Sequence, residues 1–279
     1  MIVVKLQNGL GNQIFMYAHG RALALSTNTT LALEISYFLS KNKKPYHEKF
    51  WIDKFNICYD KIIFDDYVKN RKNLQDIIPF FQESQRLSNI PKLNLSKPPS
   101  HMFLFGWWQN ESYFKHIREI LLKELTLKNP IIDVNLNKIK STKSVCVHIR
   151  RGDFLKVKYS VLNHHYYCEA ANLILKEEKD CHFFMFSDDD QWVEKTLMNK
   201  TPFVNRCTQV KHNKLCYHDF ELLKSCQHHI IANSTFSWWS AWLSPNKNKI
   251  VISPRYWNKK YKIAPSSWIT LENEIKENI

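Results

Sequence analysis

No Cys-x-x-Cys pair occurs in this sequence, and its seven cysteines (Cys58, Cys146, Cys168, Cys181, Cys207, Cys216 and Cys226) are odd in number. Neither a disulfide framework nor a zinc site is suggested by such a set, and reduced thiols are the simpler account. There is also no long apolar run behind a charged leader. The chain opens directly on Ile2-Val3-Val4, so neither a signal peptide nor a membrane anchor is expected, and sequons such as Asn233-Ser234-Thr235 are not read as glycosylated. Internal repeats are missing, as is any recognisable nucleic-acid-binding module. Acidic residues are in short supply: 26 Asp+Glu stand against 40 Lys+Arg, for a net charge of +14. A surface of that sign attracts nucleic acid, acidic lipid or a phosphorylated substrate, and charge alone does not choose among them. The lysine runs (Lys41, Lys43 and Lys44; Lys259, Lys260 and Lys262) read first as solvated basic faces. A cytoplasmic protein is expected, with peripheral contact on an anionic membrane as the further reading of that surface.

What is present is a globular composition, 44% hydrophobic and 14% aromatic over 279 residues. That length suits two α/β lobes of roughly 130 residues each. Residues 2–6 read as a strand, 13–26 as a helix, 30–35 as a strand, 102–106 as a strand and 111–125 as an amphipathic helix. Residues 37–99 are polar and basic and read as irregular with short helices. The second half is more regular: strands over 144–150, 182–187, 229–232 and 249–253 alternate with helices over 164–178, 191–199 and 219–226. Such alternation predicts a parallel sheet wrapped by helices, with ligands at the carboxyl ends of the strands.

Four strand ends carry polar chemistry. After the strand at 144–150 comes His148-Ile149-Arg150-Arg151-Gly152-Asp153. Two guanidiniums there suit a bidentate grip on a diphosphate whose charge grows as a sugar departs. An Arg–Asp pair that stiffens the turn is the alternative. Side chains alternate along a strand, so His148 and Arg150 share one face and Arg151 the other, free to pair with Asp153 or a neighbouring loop. Ser187-Asp188-Asp189-Asp190 follows the next strand. Three readings stand for it: a helix cap by Ser187 or Asp188, a nucleotide contact, or an Asp-x-Asp metal clamp. Asn233-Ser234-Thr235-Phe236-Ser237-Trp238-Trp239 combines hydroxyls with a helix start, a natural phosphate seat, while Trp238, Trp239 and Trp242 read mostly as core. At the amino end, Gly9-Leu10-Gly11-Asn12-Gln13 joins strand to helix with two glycines that bring backbone and amides close to a ligand.

Taken together, GLGNQIFMYA (9–18), HIRRGDF (148–154), FSDD (186–189) and IIANSTFSWWSAWL (230–243), with GWWQNESYF (106–114), resemble the motifs of the bacterial and animal α-1,2-fucosyltransferases, glycosyltransferase family 11. The resemblance spans residues 2 to about 257. It implies an α/β, GT-B-like fold of two Rossmann-like lobes facing a central cleft, an acceptor-side lobe over 1–138 and a donor lobe over 139–279. The implied activity is inverting transfer of L-fucose from GDP-β-L-fucose to the 2-hydroxyl of a terminal galactoside, in glycan or lipopolysaccharide synthesis. No cofactor and no metal is expected, GDP-fucose being a co-substrate; the partner is a galactose-terminated glycan, and no nucleic acid is expected. Arg150, Asn12 and Asp153 form the expected catalytic set, with no base singled out because Asp153 can be tied to an arginine. His148, Arg150, Asp188, Asp219, Ser234, Thr235, Phe236, Ser237, Gly11 and Gln13 are the expected donor-binding residues. Among them Asp219 reads guanine, and Asn12 and Gln13 lie near the transferred sugar. Met16, Phe154 and Ser240 depart from the usual glutamine, tyrosine and glycine. Three rivals remain: a fucosyltransferase of another linkage, a metal-dependent Asp-x-Asp transferase that leaves HIRRGD unexplained, and a nucleic-acid-binding protein supported by charge alone. Acceptor choice is expected to reside in residues 37–99.

Overall fold

The computed structural model describes residues 1–39, 49–64, 80–82, 102–155, 161–212, 215–257 and 261–273. Most of the segment expected to choose the acceptor, and Lys41, Lys43, Lys44, Lys259 and Lys260, lie outside them. By internal contacts the chain divides into Met1–Asn129 and Pro130–Ile279.

In the first unit, β1 (Ile2–Lys5), β2 (Leu31–Glu34), β3 (Lys61–Ile63), β4 (Phe80–Gln82) and β5 (Met102–Phe105) form one sheet in the order β3-β2-β1-β5-β4. Every pairing is parallel. A parallel strand covered on both faces must be apolar throughout, which is why β1 is a run of Ile2-Val3-Val4 buried at every position. Helix α1 (Leu10–Ser26) lies close on β1. A Cβ added at Gly20 would stand 2.2 Å from Val4 Cγ2, so a glycine is what allows that approach. The stretch expected as one helix over 111–125 is instead two 3₁₀ turns, Glu111–Tyr113 and Lys115–Ile117, followed by α2 (Arg118–Glu124). The break falls at Phe114, whose φ of −142° is not helical. Its ring is fully buried and meets Phe15 edge-on at 5.8 Å. Tyr17 and Arg21 of α1 then converge on Glu124, at 2.5 and 2.8 Å.

The second unit holds α3 (Val134–Ser141), β6 (Ser144–Ile149), α4 (His164–Glu177), β7 (His182–Ser187), β8 (Cys207–Val210), α5 (Cys216–Ser225), β9 (His228–Ile230), α6 (Thr235–Leu243), β10 (Val251–Pro254) and β11 (Ile269–Leu271). Its sheet runs β11-β10-β9-β6-β7-β8, again all parallel. Val145, Val147 and Ile149 pack with Tyr166, Tyr167, Ala170, Ala171 and Ile174 of α4. The helix expected over 191–199 is a turn, Asp190–Trp192, continued by a π-type stretch, Val193–Leu197. Trp238, Trp239 and Trp242 are 0, 0 and 5% exposed and form a ring cluster with Trp268. The seven cysteines are free thiols. Among the described residues no helix is long and apolar enough to cross a membrane.

The two sheets differ in how their strands proceed. In the second, β6, β7 and β8 proceed one way and β9, β10 and β11 the other, so the reversal lies between β6 and β9. In the first, β1 to β3 and β4 to β5 proceed the same way across the sheet, and β5 comes in beside β1. Parallel sheets bind ligands at a reversal such as that of the second, beyond the carboxyl ends of its two strands.

Candidate active site

His148 to Asp153 span the end of β6 and the residues after it, and Asn233 to Ser237 follow β9, so two of the sequence motifs meet at this reversal. The register of β6 on β7 aligns His148 with Phe186 and Ile149 with Ser187. Continued by one and two residues, it sets Arg150 beside Asp188 and Arg151 beside Asp189. Arg150 Nη1 lies 3.0 Å from Asp188 Oδ2 and Nη2 lies 2.8 Å from Asp153 Oδ1, with the guanidinium 5.6 Å from the centre of the Phe154 ring. Arg151 faces the other way, as the alternation requires. Its Nε donates to Asp189 Oδ2 at 3.0 Å, and its guanidinium lies 4.3 Å from the Trp192 ring. Asp153 thus joins Arg150, and Arg151 takes the neighbouring loop.

The Ser187 to Asp190 run divides its work. Ser187 Oγ accepts the Asp189 N–H (2.9 Å) and Asp189 caps the following turn through the Trp192 N–H (3.1 Å). The cap is therefore neither Ser187 nor Asp188. Asp188 Oδ1 accepts the Arg151 N–H at 2.8 Å while Oδ2 meets Arg150. Gly152 makes room for this carboxylate: a Cβ there would stand 2.9 Å from Asp188 Oδ2. Asp190 is exposed.

At the start of α6, Ser234, Thr235 and Phe236 are half-buried. The first N–H groups of a helix have no intrahelical acceptor, and the helix dipole favours an anion there. Ser234 caps without a side-chain bond. Ser237 is different: buried, its hydroxyl donates back to Ser234 O at 3.1 Å, so it shapes the helix start. Ser240, where the resemblance leads one to expect glycine, is buried with its hydroxyl on Ser237 O. His148 is 7% exposed, its ring 6.0 Å from that of Phe236, and its Nδ1 has no hydrogen-bond partner among the described residues. Burial, with the charges of Arg150 and His212, drives its pKa down to about 3 and keeps it neutral. Asp219, in the first turn of α5, is 5% exposed and meets His212 Nδ1 at 2.5 Å. His212 belongs to no motif read from the sequence. What brings it in is its position just past β8, seven residues before the aspartate it holds, and that pairing becomes visible only in three dimensions.

Past β1 and β5 the polar groups are amides. Asn12, half-buried, accepts from Gln109 Nε2 at 3.0 Å, linking the ends of β1 and β5. Gln13, expected near the transferred sugar, is fully buried; it donates to Asn8 O and Lys49 O and accepts the Ile52 N–H. It braces the turn. Gly11 is buried in the first turn of α1. The left-handed residue of this turn is Asn8, at φ 62°, and none of the described glycines has positive φ. Asparagine tolerates that region because its short amide bonds locally; here Oδ1 accepts from Tyr37.

The profile of Glycosyl transferase family 11 matches residues 1–272. The chain belongs to glycosyl transferase family 11. An α-1,2-colitosyltransferase of Escherichia coli is 32% identical over 98% of this chain and 99% of its own. The O-antigen biosynthesis glycosyltransferase WbnK of the same organism is 29% identical over 95% and 99%. Among solved structures, the α-1,6-fucosyltransferase NodZ soaked with GDP-fucose superposes with a TM-score of 0.51 at 17% identity, over 88% of this chain and 92% of its own. That likeness concerns the fold, which in this family 11 chain is α/β and GT-B-like, with two parallel sheets wrapped by helices.

Proposed function

We propose that this chain is a galactoside α-1,2-fucosyltransferase that transfers L-fucose from GDP-β-L-fucose with inversion and without a metal ion. The observation that carries it is the set of groups at the β6/β9 reversal: the Arg150 guanidinium, the free N–H groups opening α6 and the neutral His148. Inversion requires the galactoside 2-hydroxyl to attack the anomeric carbon opposite the departing GDP, through an oxocarbenium-like state. The heaviest electrostatic task is the charge growing on the diphosphate. Arg150 and the α6 N-terminus supply it from fixed positions. Asp219 accepts the N–H donors of the guanine edge. Asp188 holds Arg150 in place from behind, and Asp153 shares that guanidinium, so no described residue is assigned as base. The galactoside acceptor follows from the GLGNQ, HIRRGD, FSDD and STFSWW set held in common with the α-1,2-fucosyltransferases. Asn12, beside Gln109, is placed on the sugar side. A cytoplasmic enzyme whose basic surface touches an anionic membrane completes the reading.

The 32% identical colitosyltransferase favours a second reading, in which the transferred sugar is colitose, that is, fucose lacking its 3-hydroxyl. A site that hydrogen-bonds a hydroxyl rejects the analogue without it far more strongly than the reverse. The test offers GDP-fucose and GDP-colitose separately with a panel of galactosides, in excess EDTA, and determines the product linkage. An α-1,2-fucosyl product at undiminished rate supports the first reading; turnover of GDP-colitose alone replaces it with the second, and dependence on added manganese or magnesium removes the metal-free mechanism.

A further inference from the structure

Trp108 is 2% exposed and takes a left-handed backbone conformation, φ 53°. That region is an outlier for a bulky side chain and persists only where the surrounding contacts over-determine it. The contacts are on α1. His19, also 2% exposed, has the Trp108 ring centred 4.5 Å away and the Tyr113 ring 4.4 Å away, and those two rings meet edge-on at 5.7 Å. The left-handed residue turns the chain sharply, with the Asn110 N–H on Trp108 O at 2.9 Å. Gln109, in the middle of that turn, is carried onto Asn12. Residues three, four and seven apart share one face of a helix, and Asn12, Phe15 and His19 stand at that spacing on α1. The segment after β5 grips this face three times: Gln109 on Asn12, Phe114 on Phe15, and Trp108 with Tyr113 on His19. His19 lies one residue beyond the amino-terminal motif, and neither of its ring nitrogens has a hydrogen-bond partner among the described residues. What it offers is a flat ring.

We infer that His19 is a positioning residue for acceptor recognition: its ring holds Trp108 in the left-handed turn, the turn holds Gln109 on Asn12, and the Asn12 amide is thereby kept aimed at the galactoside. Ordering a side chain at the moment of binding consumes part of what the contact gains, so an amide fixed beforehand binds a sugar hydroxyl more tightly than one left to rotate. The inference rests on the reading that the amides past β1 and β5 serve the acceptor. It makes acceptor affinity depend on a ring two helical turns from Asn12 that need not touch the sugar.

The test is steady-state kinetics at saturating GDP-fucose with lactose as the varied galactoside, or N-acetyllactosamine where that turns over faster, beside calorimetry of GDP. It is run on the full chain and on His19→Ala, His19→Phe, Gln109→Ala and the His19→Ala/Gln109→Ala double variant. Loss of one neutral hydrogen bond predicts an acceptor KM raised about three- to tenfold in His19→Ala, with kcat and GDP affinity as in the full chain. His19→Phe keeps a flat ring between Trp108 and Tyr113 and recovers most of the loss. In the Gln109→Ala background His19→Ala adds little, because both act through one hydrogen bond. Where His19→Ala does not fold, His19→Leu, which fills the space without a flat ring, carries the same expectation. A folded His19→Ala with unchanged acceptor KM beside a raised KM in Gln109→Ala overturns the inference. So does a KM as high in His19→Phe as in His19→Ala, which would make the ring nitrogens the working part, or a GDP affinity weakened by as much as the acceptor KM is raised, which would mark a general loosening. Unchanged acceptor KM in Gln109→Ala is a different failure, that of the acceptor assignment itself.

Discussion

The strand ends past β1 and β5 and those past β6 and β9 both belong to parallel sheets and differ in chemistry. Past β1 and β5 the polar groups are neutral amides, Asn12 on Gln109 with Gln13 and Asn8 bracing the turn. The charged pair there, Lys5 with Glu34, is sealed at 8 and 0% side-chain exposure. Past β6 and β9 the groups are charged: Arg150 with Asp153 and Asp188, Arg151 with Asp189, His212 with Asp219. One scaffold thus supplies two kinds of surface. Amides trade hydrogen bonds with hydroxyls at little desolvation cost, whereas a diphosphate calls for fixed guanidiniums and helix dipoles. In the function proposed above, the amides fall to the sugar acceptor and the charged groups to the nucleotide.

The comparison breaks most sharply at Arg150. Removing a positioned donor from a developing oxyanion costs roughly 10²–10³ in rate, and lysine cannot restore a two-pronged grip. Arg150→Lys is therefore expected to fold and to lose at least about that much turnover. Arg151→Lys, whose partners Asp189 and Trp192 lie on the α4 side, is expected mainly to lower the melting temperature. Initial rates at saturating GDP-fucose, with melting curves of both variants, check the pair; an active Arg150→Lys beside a folded but dead Arg151→Lys reverses the assignment. Next in size is Gly152→Ala. Its methyl would press on Asp188 Oδ2, and the carboxylate is already fixed by Arg151 N–H on Oδ1 and Arg150 on Oδ2. Displacing that brace should lower kcat about tenfold, the price of roughly one misplaced charge-assisted bond, with the acceptor KM unmoved.

At the amide end the expected effect is smaller and of another kind. Gln109→Ala removes one neutral hydrogen bond and should raise the acceptor KM about three- to tenfold. GDP affinity by calorimetry should stay as it was. A changed GDP affinity would mean that the first unit also serves the nucleotide.

How far the sequence disclosed this contrast follows from which interactions are local. Central strands such as β6 and β7 are buried at nearly every residue, so their apolar runs are plain in the sequence, and the motifs at their ends are found with them. Edge strands escaped. β8 is Cys-Thr-Gln-Val with three half-buried positions, and β11 is largely exposed, so neither carries the apolar run that marks a buried strand. The Arg150 and Arg151 faces were legible from the period of two alone. Their partners were not, because Asp188 and Asp189 come near only through the register of β6 on β7. His212 was out of reach for the same reason: its role lies in a contact between a loop and a helix. Gln13 was read as a ligand group because its type and place suit one, and only the bonds it makes show that it braces.

The smallest expected effect separates the two units by pH. His212 has its pKa raised, chiefly by its hydrogen bond to Asp219, with the charges of Asp219, Asp188 and Asp190 adding to it and burial opposing. A histidine whose folded pKa lies above its unfolded value of about 6.5 stabilises the fold fully below that value. That contribution disappears as pH rises through the folded pKa. The side chain is 40% exposed, so solvent screening keeps the contribution near a few tenths to about 1 kcal/mol. For a chain of this length that is about 1–3 °C in melting temperature. The first unit offers the opposite case in His19, buried between Trp108 and Tyr113, with its pKa pushed down to about 3 by burial. His19 stays neutral in the fold and weakens it as pH falls from about 6.5 toward 3, when the unfolded chain gains a proton that the fold refuses. His148 and His229 act in the same sense. Melting curves of the full chain and of His212→Ala from pH 5.5 to 9 should therefore differ most at the acid end and converge toward the alkaline end. Both should lose stability together below about pH 6. A gap between the two that is constant across the range would mean that His212 contributes packing rather than charge.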